Sequence, residues 1–449
     1  MPVKTKKNNA SASRSSPDKR SKEFVLRKAE EFNVKFIRLW FSDIQGLLKS
    51  FAITIDELKE AMDEGKFFDG SSIEGFARND ESDMRAFPDA STFQVLPWRP
   101  KENAVARMFC DIRNVQGGAF DGDPRQCLKR VLKKAADQGY TFYVGPEIEF
   151  YYFQNSEGTK TLDQGGYFDL TSLDAGSDLR RETVLTLEEM GIGVESSHHE
   201  AAPSQHEIDL RYTDALTMAD NAITYRLVVK EIALKNGVYA TFMPKPLKGE
   251  NGSGMHVHQS LFKGDANAFY DKNDKSHLSK LGKQYIAGLL RYAPEMCIVT
   301  NQWVNSYKRL VPGYEAPFHV FWAKRNRNAL VRVPTFKPGY EQSMRAELRL
   351  PDAACNPYLA FSVMLAAGLE GIKHGWELSD PVEQNGAQGS RPLPQSLGEA
   401  IKIAEQSKFL KDALGEHIFH SLIENKKIEW GNYCAEITDY ELKKHLPIL

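Results

Sequence analysis

The alternation of apolar and polar residues divides the first part of the chain into short helices and strands. Phe24, Leu26 and Ala29 recur among charged residues at helical spacing, whereas residues 34–41 are rich in β-branched and aromatic side chains. The predicted elements are helices over 23–31 and 55–64, a strand over 34–41, two strands within 91–113, and a glycine- and serine-rich loop over 66–76. This pattern predicts a small α+β unit.

A second and larger unit follows a break at 116–124, where three glycines and a proline cluster. Its predicted elements are a strand over 140–153 and helices over 125–138, 180–190, 215–236, 279–292 and 357–373, and the C-terminal part is predicted to be mostly helical. The apolar run 359–369 is too short to span a bilayer and fits a buried helix. We therefore divide the chain into a tail (1–22), an N-terminal domain (23–118) and a larger C-terminal domain (119–449).

The tail is basic, with seven Lys/Arg and one acidic residue in 22 positions and almost nothing apolar. This composition predicts a disordered, solvated segment, in preference to a nucleic-acid-binding or targeting role. It also lacks the apolar core of a secretory signal.

Composition narrows the class of protein. With 449 residues, 41% hydrophobic and 26% charged, the chain matches an ordinary soluble enzyme of two domains. A net charge of −2 argues against nucleic-acid binding by the whole chain. The five cysteines are scattered and show no CxxC spacing, which favours a reduced, cytoplasmic protein.

The first chemical signal is residues 145–150 (GPEIEF) on the predicted strand 140–153. Alternate residues of a strand share a face, so Glu147 and Glu149 point the same way with Cα atoms roughly 7 Å apart. Two neighbouring acids repel each other unless cations lie between them. A solvated strand face is an equally good interpretation of this pair taken alone.

Two further motifs concentrate polar ligands. Residues 198–207 (HHEAAPSQHE) hold three histidines with Glu200 and Glu207, and 251–258 (NGSGMHVH) set His256 and His258 on one face of a strand after a glycine turn. A surface loop and a structural turn with satisfied histidines are the plain alternatives. Neither motif is a P-loop or a dinucleotide fingerprint.

A basic segment completes the pattern, with nine Lys/Arg and three Glu in residues 301–349. Arg327 and Arg332 lie between apolar residues, where a guanidinium is costly unless it pairs with an anion. Phosphate or carboxylate ligands are its natural partners. Many carboxylates and few histidines favour Mg²⁺ or Mn²⁺ over zinc, and a hard metal beside arginines is typical of phosphoryl transfer.

With these motifs, the chain resembles the type I glutamine synthetases from about residue 23 to its end. The motifs are FDGSS at 68–72, ESDM at 81–84, GPEIEF at 145–150, HHE at 198–200, NGSGMHVH at 251–258, NSYKRLVPGYEAP at 305–317 and RAELR at 345–349. The resemblance implies an ATP-dependent glutamate–ammonia ligase of the non-adenylylated, feedback-inhibited subtype.

The implied fold is α+β, with a small β-grasp-like N-terminal domain and a larger catalytic domain built on a curved antiparallel sheet flanked by helices. The implied assembly is a dodecamer, a homo-oligomer with active sites between subunits, with no nucleic-acid or membrane partner. At least two Mg²⁺ or Mn²⁺ ions are implied per site. One is expected on Glu149, Glu200 and Glu207, and the other on Glu147, His256 and Glu347.

The resemblance also implies roles for other residues. Asp69 and Asp83 from a neighbouring subunit act with Glu315, the flap residue, and Arg327 neutralises the transferring phosphoryl group. The implied binding sets are Asn251, Gly252, Arg309 and Arg349 for glutamate, Asp69, Ser72, Tyr167 and Glu200 for ammonium, and Glu195, Tyr212, His258, Ser260, Arg327, Arg332 and Arg345 for ATP.

Departures from the family pattern concern regulation and one phosphate contact. Gln342 stands where the family often has Lys, and Asn328 where Ser is common. Residues 382–389 contain no Tyr, which predicts no adenylylation. Arg78 resembles the residue used for feedback inhibition, which makes feedback by glutamine or AMP a hypothesis.

Two rival functions remain open. A ligase of this fold for a polyamine or methylamine is disfavoured because the ammonium-pocket acids Asp69, Asp83 and Glu315 are present. A non-catalytic assembly protein is disfavoured because all six expected metal ligands are present, although Gln342 lends it some support.

Overall fold

A computed structural model of the chain describes residues 21–76, 83–335, 339–383 and 390–449. Its helices are α1 (Lys22–Glu31), α2 (Leu58–Glu64), α3 (Pro124–Ala136), α4 (Ser177–Glu189), α5 (Ala215–Lys235), α6 (Lys280–Thr300), α7 (Pro357–His374), α8 (Leu397–Glu405), α9 (Lys408–Leu414), α10 (Glu416–Ala435) and α11 (Asp439–Lys444). Its strands are β1 (Val34–Ser42), β2 (Leu48–Thr54), β3 (Lys66–Asp69), β4 (Asp83–Pro88), β5 (Gln94–Val95), β6 (Ala104–Asn114), β7 (Thr141–Phe153), β8 (Val194–His199), β9 (Gln205–Leu210), β10 (Thr213–Asp214), β11 (Tyr239–Thr241), β12 (Met255–Lys263), β13 (Ala266–Asn267), β14 (Trp322–Ala323), β15 (Val331–Arg332) and β16 (Ala346–Leu348).

The first sheet contains strands β1 to β6 in the order β2-β1-β6-β4-β3, with β5 also paired to β6. The β1–β6 pair is parallel and the other pairs are antiparallel. A core that includes Ile37, Leu39, Met108 and Ile112 packs under helices α1 and α2. The alternation of apolar residues along β1 and β6 supplies this buried face.

The loop predicted over 66–76 is partly wrong, because its first four residues form strand β3. Phe67 and Phe68 have the aromatic side chains that strands favour, and they pair with β4 across an antiparallel ladder. Strands β2 and β4 carry no strong periodicity and were missed altogether. Turn residues dominate only from Gly70 onward.

The second sheet has ten strands with the main order β14-β15-β16-β12-β7-β9-β8. All pairs are antiparallel except β14–β15. Strand β7, 13 residues long, runs through its middle and confirms the strand predicted over 140–153. Because β7 lies between β12 and β9, its outward-facing acids meet side chains from both neighbours.

Helices cover the sheet on the side away from those acids. Helix α7 is almost wholly buried, as predicted for the apolar run 359–369, and it packs closely against α6. A Cβ at Gly288 would lie 2.0 Å from the Ala367 carbonyl oxygen, so glycine is needed where the two helices cross. Helix α6 continues past Pro294 to Thr300, beyond the predicted end, because its last turns are buried in the core.

A buried ion-pair network joins the two sheets. The Arg125 guanidinium, at the start of α3, contacts Asp89 and Asp111 in the N-terminal part and Asp220 on α5, at 2.9, 2.6 and 3.0 Å. A buried charge with three partners is costly to separate, so this network favours one arrangement of the two parts. Among the described helices, none has the length and apolarity that a membrane crossing requires.

Candidate active site

A cavity of about 730 Å³ opens over the polar face of the second sheet, and we call it the acid cavity. It is walled by β7, β8, β9, β12 and the loops that carry Glu315 and Arg327. Its lining includes many of the predicted site residues: Glu147, Glu149, Tyr167, Glu200, Glu207, Asn251, Gly252, His256, Glu315, Arg327, Arg332 and Arg349.

Pairing of β7 with β12 and of β12 with β16 creates the first group of possible metal ligands. His256 lies opposite Glu147, and His258 lies opposite Glu347. Glu147, His256 and Glu347 each offer a donor atom within 4.8 Å of the others. We call these three residues the paired set, because the protein's own basic groups surround them.

Both carboxylates of the paired set have basic partners. Glu347 accepts hydrogen bonds from Arg332 Nε at 2.5 Å and Arg349 Nη1 at 2.6 Å, while His258 Nε2 donates to Glu147 at 2.5 Å. Burial opposes ionisation, yet nearby His258 and Arg349 hold the pKa of Glu347 below its ordinary value. Burial likewise opposes ionisation of Glu147, but hydrogen bonds from His256 and His258 lower its pKa.

The second predicted set, Glu149, Glu200 and Glu207, lies beside the first, and we call it the unpaired set. Glu200 and Glu207 have donor atoms within 4.8 Å of each other and of His198, whereas Glu149 lies outside that cluster. Glu149 Oε2 accepts hydrogen bonds from two neutral groups, Gln205 Nε2 at 2.9 Å and the Gly254 amide at 3.0 Å. Burial, then repulsion from Glu200, raises the pKa of Glu149 to about 8. Burial, then Asp209 and Glu149, raises the pKa of Glu207 well above its ordinary value.

This donor set fits divalent cations. Five carboxylates and one imidazole converge, and oxygen-rich sets of this kind suit Mg²⁺ or Mn²⁺. Burial, with Arg349 nearby, lowers the pKa of His256 to about 4, so its ring is neutral and able to bind a metal. Burial and nearby carboxylates raise the pKa values of Glu149 and Glu207, and a cation lying between these acids would favour their ionised forms.

A smaller cavity of about 350 Å³ lies on the other side of Glu147, and we call it the nucleotide cavity. It shares Glu147, Ser196 and Asp209 with the acid cavity. Five of the residues predicted to bind ATP line this cavity, namely Glu195, Tyr212, His258, Ser260 and Arg345. The other two, Arg327 and Arg332, line the acid cavity. Arg345 Nε donates to His258 Nδ1 at 3.0 Å, so a basic residue and an imidazole connect this cavity to Glu147.

The residues predicted to bind glutamate are not all on the cavity surface. Asn251, Gly252 and Arg349 line the acid cavity, whereas the Arg309 guanidinium lies behind it and donates to the carbonyls of Leu350 and Arg349 at 3.0 and 3.2 Å. The glycines of residues 251–254 permit this packing. A Cβ at Gly254 would lie 2.6 Å from Arg309 Nη2.

Arg327 and Arg332 differ from the apolar strand setting predicted for them. Arg327 lies in a turn, with its side chain 58% exposed, and contacts Glu315 Oε2 at 3.4 Å. Only Arg332 belongs to a strand, and Glu347 is its partner. The apolar neighbours in sequence pack below, while both guanidinium groups face the acid cavity.

Asp69 and Ser72 are exposed and belong to the lining of neither cavity. Asp69 ends β3 directly opposite Asp83 on β4, so the fold does bring these two acids together. Arg78 lies outside the described residues. Gln342 lines the nucleotide cavity, and its amide donates to the Asp265 carbonyl at 3.3 Å.

Sequence reasoning missed two residues that contact the unpaired set. His198 Nε2 lies 2.9 Å from Glu200 Oε1 and within 4.8 Å of Glu207. Its position two residues before Glu200 on a strand is the same-face signal that identified Glu147 and Glu149. Gln205, which holds Glu149, gave no signal, because a buried amide has no distinctive spacing.

A third cluster, Asp163, His199 and His206, also has donor atoms within 4.8 Å of one another. Arg180 Nη1, however, lies 2.8 Å from His206 Nδ1, and both oxygens of Asp163 accept backbone amides. A guanidinium at that distance repels a cation. We interpret this cluster as a hydrogen-bonded support behind β8 and β9.

Comparisons with known proteins show the family to which this fold belongs. A family model described as glutamine synthetase, beta-Grasp domain, matches residues 33–115, and one described as glutamine synthetase, catalytic domain, matches 121–445. Glutamine synthetase of Mycolicibacterium smegmatis is 52% identical over 444 residues, covering 96% of this chain and 100% of the relative. That of Staphylococcus aureus (strain Mu50) is 46% identical over 440 residues, covering 95% and 98%.

Solved structures show the same fold. A GmaS/ADP complex superposes with a TM-score of 0.87 at 28% identity, covering 94% of this chain and 99% of that one. A Plasmodium falciparum glutamine synthetase gives 0.85 at 25% identity, covering 94% and 97%. The predicted fold class, a β-grasp-like domain followed by a larger α+β domain, is confirmed.

Proposed function

Because the chain belongs to the glutamine synthetase family, we propose that it joins ammonia to the γ-carboxylate of glutamate, converting ATP to ADP and phosphate. The observation that carries this proposal is the position of Glu147. Its carboxylate lines both the acid cavity and the nucleotide cavity, at the place where a γ-phosphoryl group would pass from ATP to a carboxylate.

We assign the six acidic and imidazole ligands to two divalent cations, Mg²⁺ or Mn²⁺. The paired set would hold the cation nearer the nucleotide, and the unpaired set the other. When bound, these cations neutralise phosphate charge and polarise the transferred group. Arg332 and Arg349 fix the Glu347 carboxylate, and Gln205 fixes that of Glu149.

In the first step a γ-carboxylate oxygen of glutamate attacks the γ-phosphorus of ATP, and ADP leaves. Asn251, Gly252 and Arg349 orient the glutamate, with Arg309 behind them. Arg327 and Arg332 face the acid cavity and counter the negative charge that spreads over the phosphoryl oxygens. Arg345 and His258, with Glu195, Tyr212 and Ser260, hold the nucleotide.

In the second step ammonium loses a proton, ammonia attacks the acyl carbon of γ-glutamyl phosphate, and phosphate leaves. Tyr167 and Glu200 would hold the ammonium, together with Ser72 and Asp69 of the partner subunit, and that aspartate takes the proton. Glu315, on an exposed loop beside Arg327, closes the site against water.

The protein is proposed to form a homo-oligomer, a dodecamer, in which a neighbouring subunit completes the acid cavity. Two observations support a partner here: Asp69 and Ser72 lie away from their own chain's cavity, and large apolar side chains stand exposed at its edge. Phe168 is 61% and Leu170 79% exposed, and both line the acid cavity. We place the domains at 23–118 and 119–449, after a basic tail (1–22) of which residues 1–20 lie outside the described residues, in a cytoplasmic protein without nucleic-acid or membrane partners.

The test is a coupled assay with purified protein, ATP, glutamate, Mg²⁺ or Mn²⁺, and one of three amines. Ammonium should yield glutamine and phosphate in about equal amounts, and methylamine and putrescine should give much slower phosphate release. Faster turnover with either amine would assign the chain to another γ-glutamyl ligase. No ATP hydrolysis with any amine would point to a non-catalytic assembly protein.

Regulation is proposed on sequence grounds only. Feedback by glutamine or AMP through Arg78 predicts that Arg78→Ala relieves inhibition in the same assay, and unchanged inhibition would refute it. No covalent adenylylation is expected, which intact-mass measurement of protein purified from its native host would check.

A further inference from the structure

Lys245 joins two loops that wall the acid cavity on opposite sides. One loop, residues 244–253, contains Asn251 and Gly252, which line the cavity. The other, residues 311–316, carries Tyr314 and Glu315, which also line it. Between them the Lys245 ammonium donates to the Glu250 carbonyl and lies 3.4 Å from the centre of the Tyr314 ring.

The backbone of Lys245 is held independently of its side chain. Its amide donates to Asn305 Oδ1 at 2.7 Å, and its carbonyl accepts from Asn305 Nδ2 at 3.1 Å. The neighbouring Pro244 carbonyl accepts from the Ser253 amide at 2.8 Å, which closes the first loop. The ammonium therefore projects from a fixed point, so its contacts can set the positions of Glu250 and Tyr314.

Among the described residues, the other long-range contacts of the second loop near Tyr314 are weak, and one of them is the exposed 3.4 Å pair of Glu315 with Arg327. Gly313 has a φ of +93°, Glu315 is exposed, and the Arg349 contact to the Glu315 carbonyl is long at 3.4 Å. A cation on the face of an aromatic ring is attracted by the ring quadrupole, and the attraction is stronger where water is excluded. The half-buried Tyr314 ring offers such a face.

We propose that Lys245 is a positioning residue that holds the loop carrying Glu315 in register with the loop carrying Asn251 and Gly252. This inference rests on the proposed function, because it concerns the lifetime of γ-glutamyl phosphate in that cavity. If the second loop is released, water reaches the acyl carbon. A new C–O bond to water then forms, the bond to the phosphate oxygen breaks, and glutamate and phosphate result in place of glutamine.

The experiment compares Lys245→Met with Lys248→Met, the same change on an exposed lysine of the same loop. For each, phosphate and glutamine are measured together, with KM for glutamate. Lys248→Met should keep about one phosphate per glutamine. Lys245→Met should release several phosphates per glutamine and raise KM for glutamate about tenfold, because displacement by about 1 Å impairs positioning strongly.

Two further variants separate positioning from general damage. Tyr314→Leu should raise phosphate per glutamine while changing KM for glutamate less, since it leaves the Glu250 contact in place. Lys245→Arg keeps a cation that donates and stacks, and it should restore coupling. If Lys245→Met does not fold, the ratio of phosphate to glutamine in Tyr314→Leu still tests the proposal.

The failures of this inference and of the proposed function are distinguishable. Wild-type protein that makes no glutamine would contradict the proposed function. Wild-type protein that makes glutamine, with Lys245→Met and Tyr314→Leu each keeping about one phosphate per glutamine and an unchanged KM for glutamate, would overturn the role of Lys245 alone.

Discussion

The two ligand sets meet at alternate residues of β7, Glu147 and Glu149, and yet they have opposite electrostatics. In the paired set, arginines and histidines of the chain itself surround the acids and lower the pKa values of Glu147 and Glu347. In the unpaired set, amides and other acids are the main neighbours, and the pKa values of Glu149 and Glu207 rise.

This difference in pKa values indicates which set needs a cation from solution to balance its charge. The paired set is already neutralised by the fold, so its geometry is held whether or not a cation binds. In the unpaired set His198 contacts Glu200, but Glu149 and Glu207 are buried beside other acids, and such charge is tolerated only if it is protonated or bound to a cation. The same substitution should therefore have opposite effects on stability in the two sets.

The largest expected effect is that of Glu347→Gln in the paired set. Loss of this buried acid leaves Arg349 without its charged partner, and removing one member of a buried pair costs about 3 kcal/mol of unfolding free energy. Glutamine formation should fall more than about 100-fold, since outer-shell changes alone cost 10–100-fold. Denaturant unfolding and the coupled assay measure both, with Glu424→Gln, an exposed surface acid, as the control.

The matched change Glu149→Gln should have the opposite effect on stability. It removes a repelling charge while keeping an oxygen that can accept from Gly254, so the metal-free protein at pH 8–9 should gain about 1 kcal/mol. Activity should still fall more than about 100-fold, because a metal ligand is lost. Destabilisation equal to that of Glu347→Gln would erase the distinction between the two sets.

The pH dependence of the metal-free protein follows from the raised pKa of Glu149. The folded state prefers the protonated acid, so the stabilising contribution is complete below about pH 4.5, the ordinary value. It is lost as pH rises through about 8. In the presence of a chelator, the midpoint of thermal unfolding should therefore fall by several degrees between pH 6 and 9. The part of this fall that is due to Glu149 is the difference from the Glu149→Gln variant.

Adding Mn²⁺ should remove most of that fall, because the cation replaces the lost protons. Glu149→Gln in the chelator should show a smaller pH dependence than the wild type. An equal dependence in both would contradict the assignment of this effect to the unpaired set.

The smallest effect is expected for Gln205→Met, which removes the amide that holds Glu149. Loss of an outer-shell hydrogen bond should weaken metal binding about 10-fold and leave the paired set unaffected. Mn²⁺ titration checks this, with Gln138→Met on the exposed end of α3 as the control. Unchanged affinity would mean that Gln205 only fills space.

Much of the fold and of the site followed from local pattern. The 13-residue strand β7 and the buried helix α7 carry strong, continuous signals, and alternation on β7 correctly put Glu147 and Glu149 on one face. Strand β2 is defined by its pairing with the preceding β1, and β4 by its position between β3 and β6, and no local periodicity marks either strand.

What sequence could not supply was the partition of charge between the two sets. Arg332 contacts Glu347 because β15 and β16 pair in one register, whereas Arg349 contacts it from two residues along the chain. Gln205 and Lys245 act through contacts that the folded chain creates, and nothing in their spacing reveals their partners. Motif resemblance named the ligands, but the structure separated those that the protein neutralises from those that it does not.

The most direct test of the account is the number of Mn²⁺ ions bound per chain, measured by the loss of free Mn²⁺ signal in electron paramagnetic resonance. Wild-type protein should bind two ions without nucleotide, and Glu149→Gln and Glu347→Gln should each bind one. A wild-type chain that binds none, or variants that keep both ions, would contradict the claim that these six side chains form two cation sites.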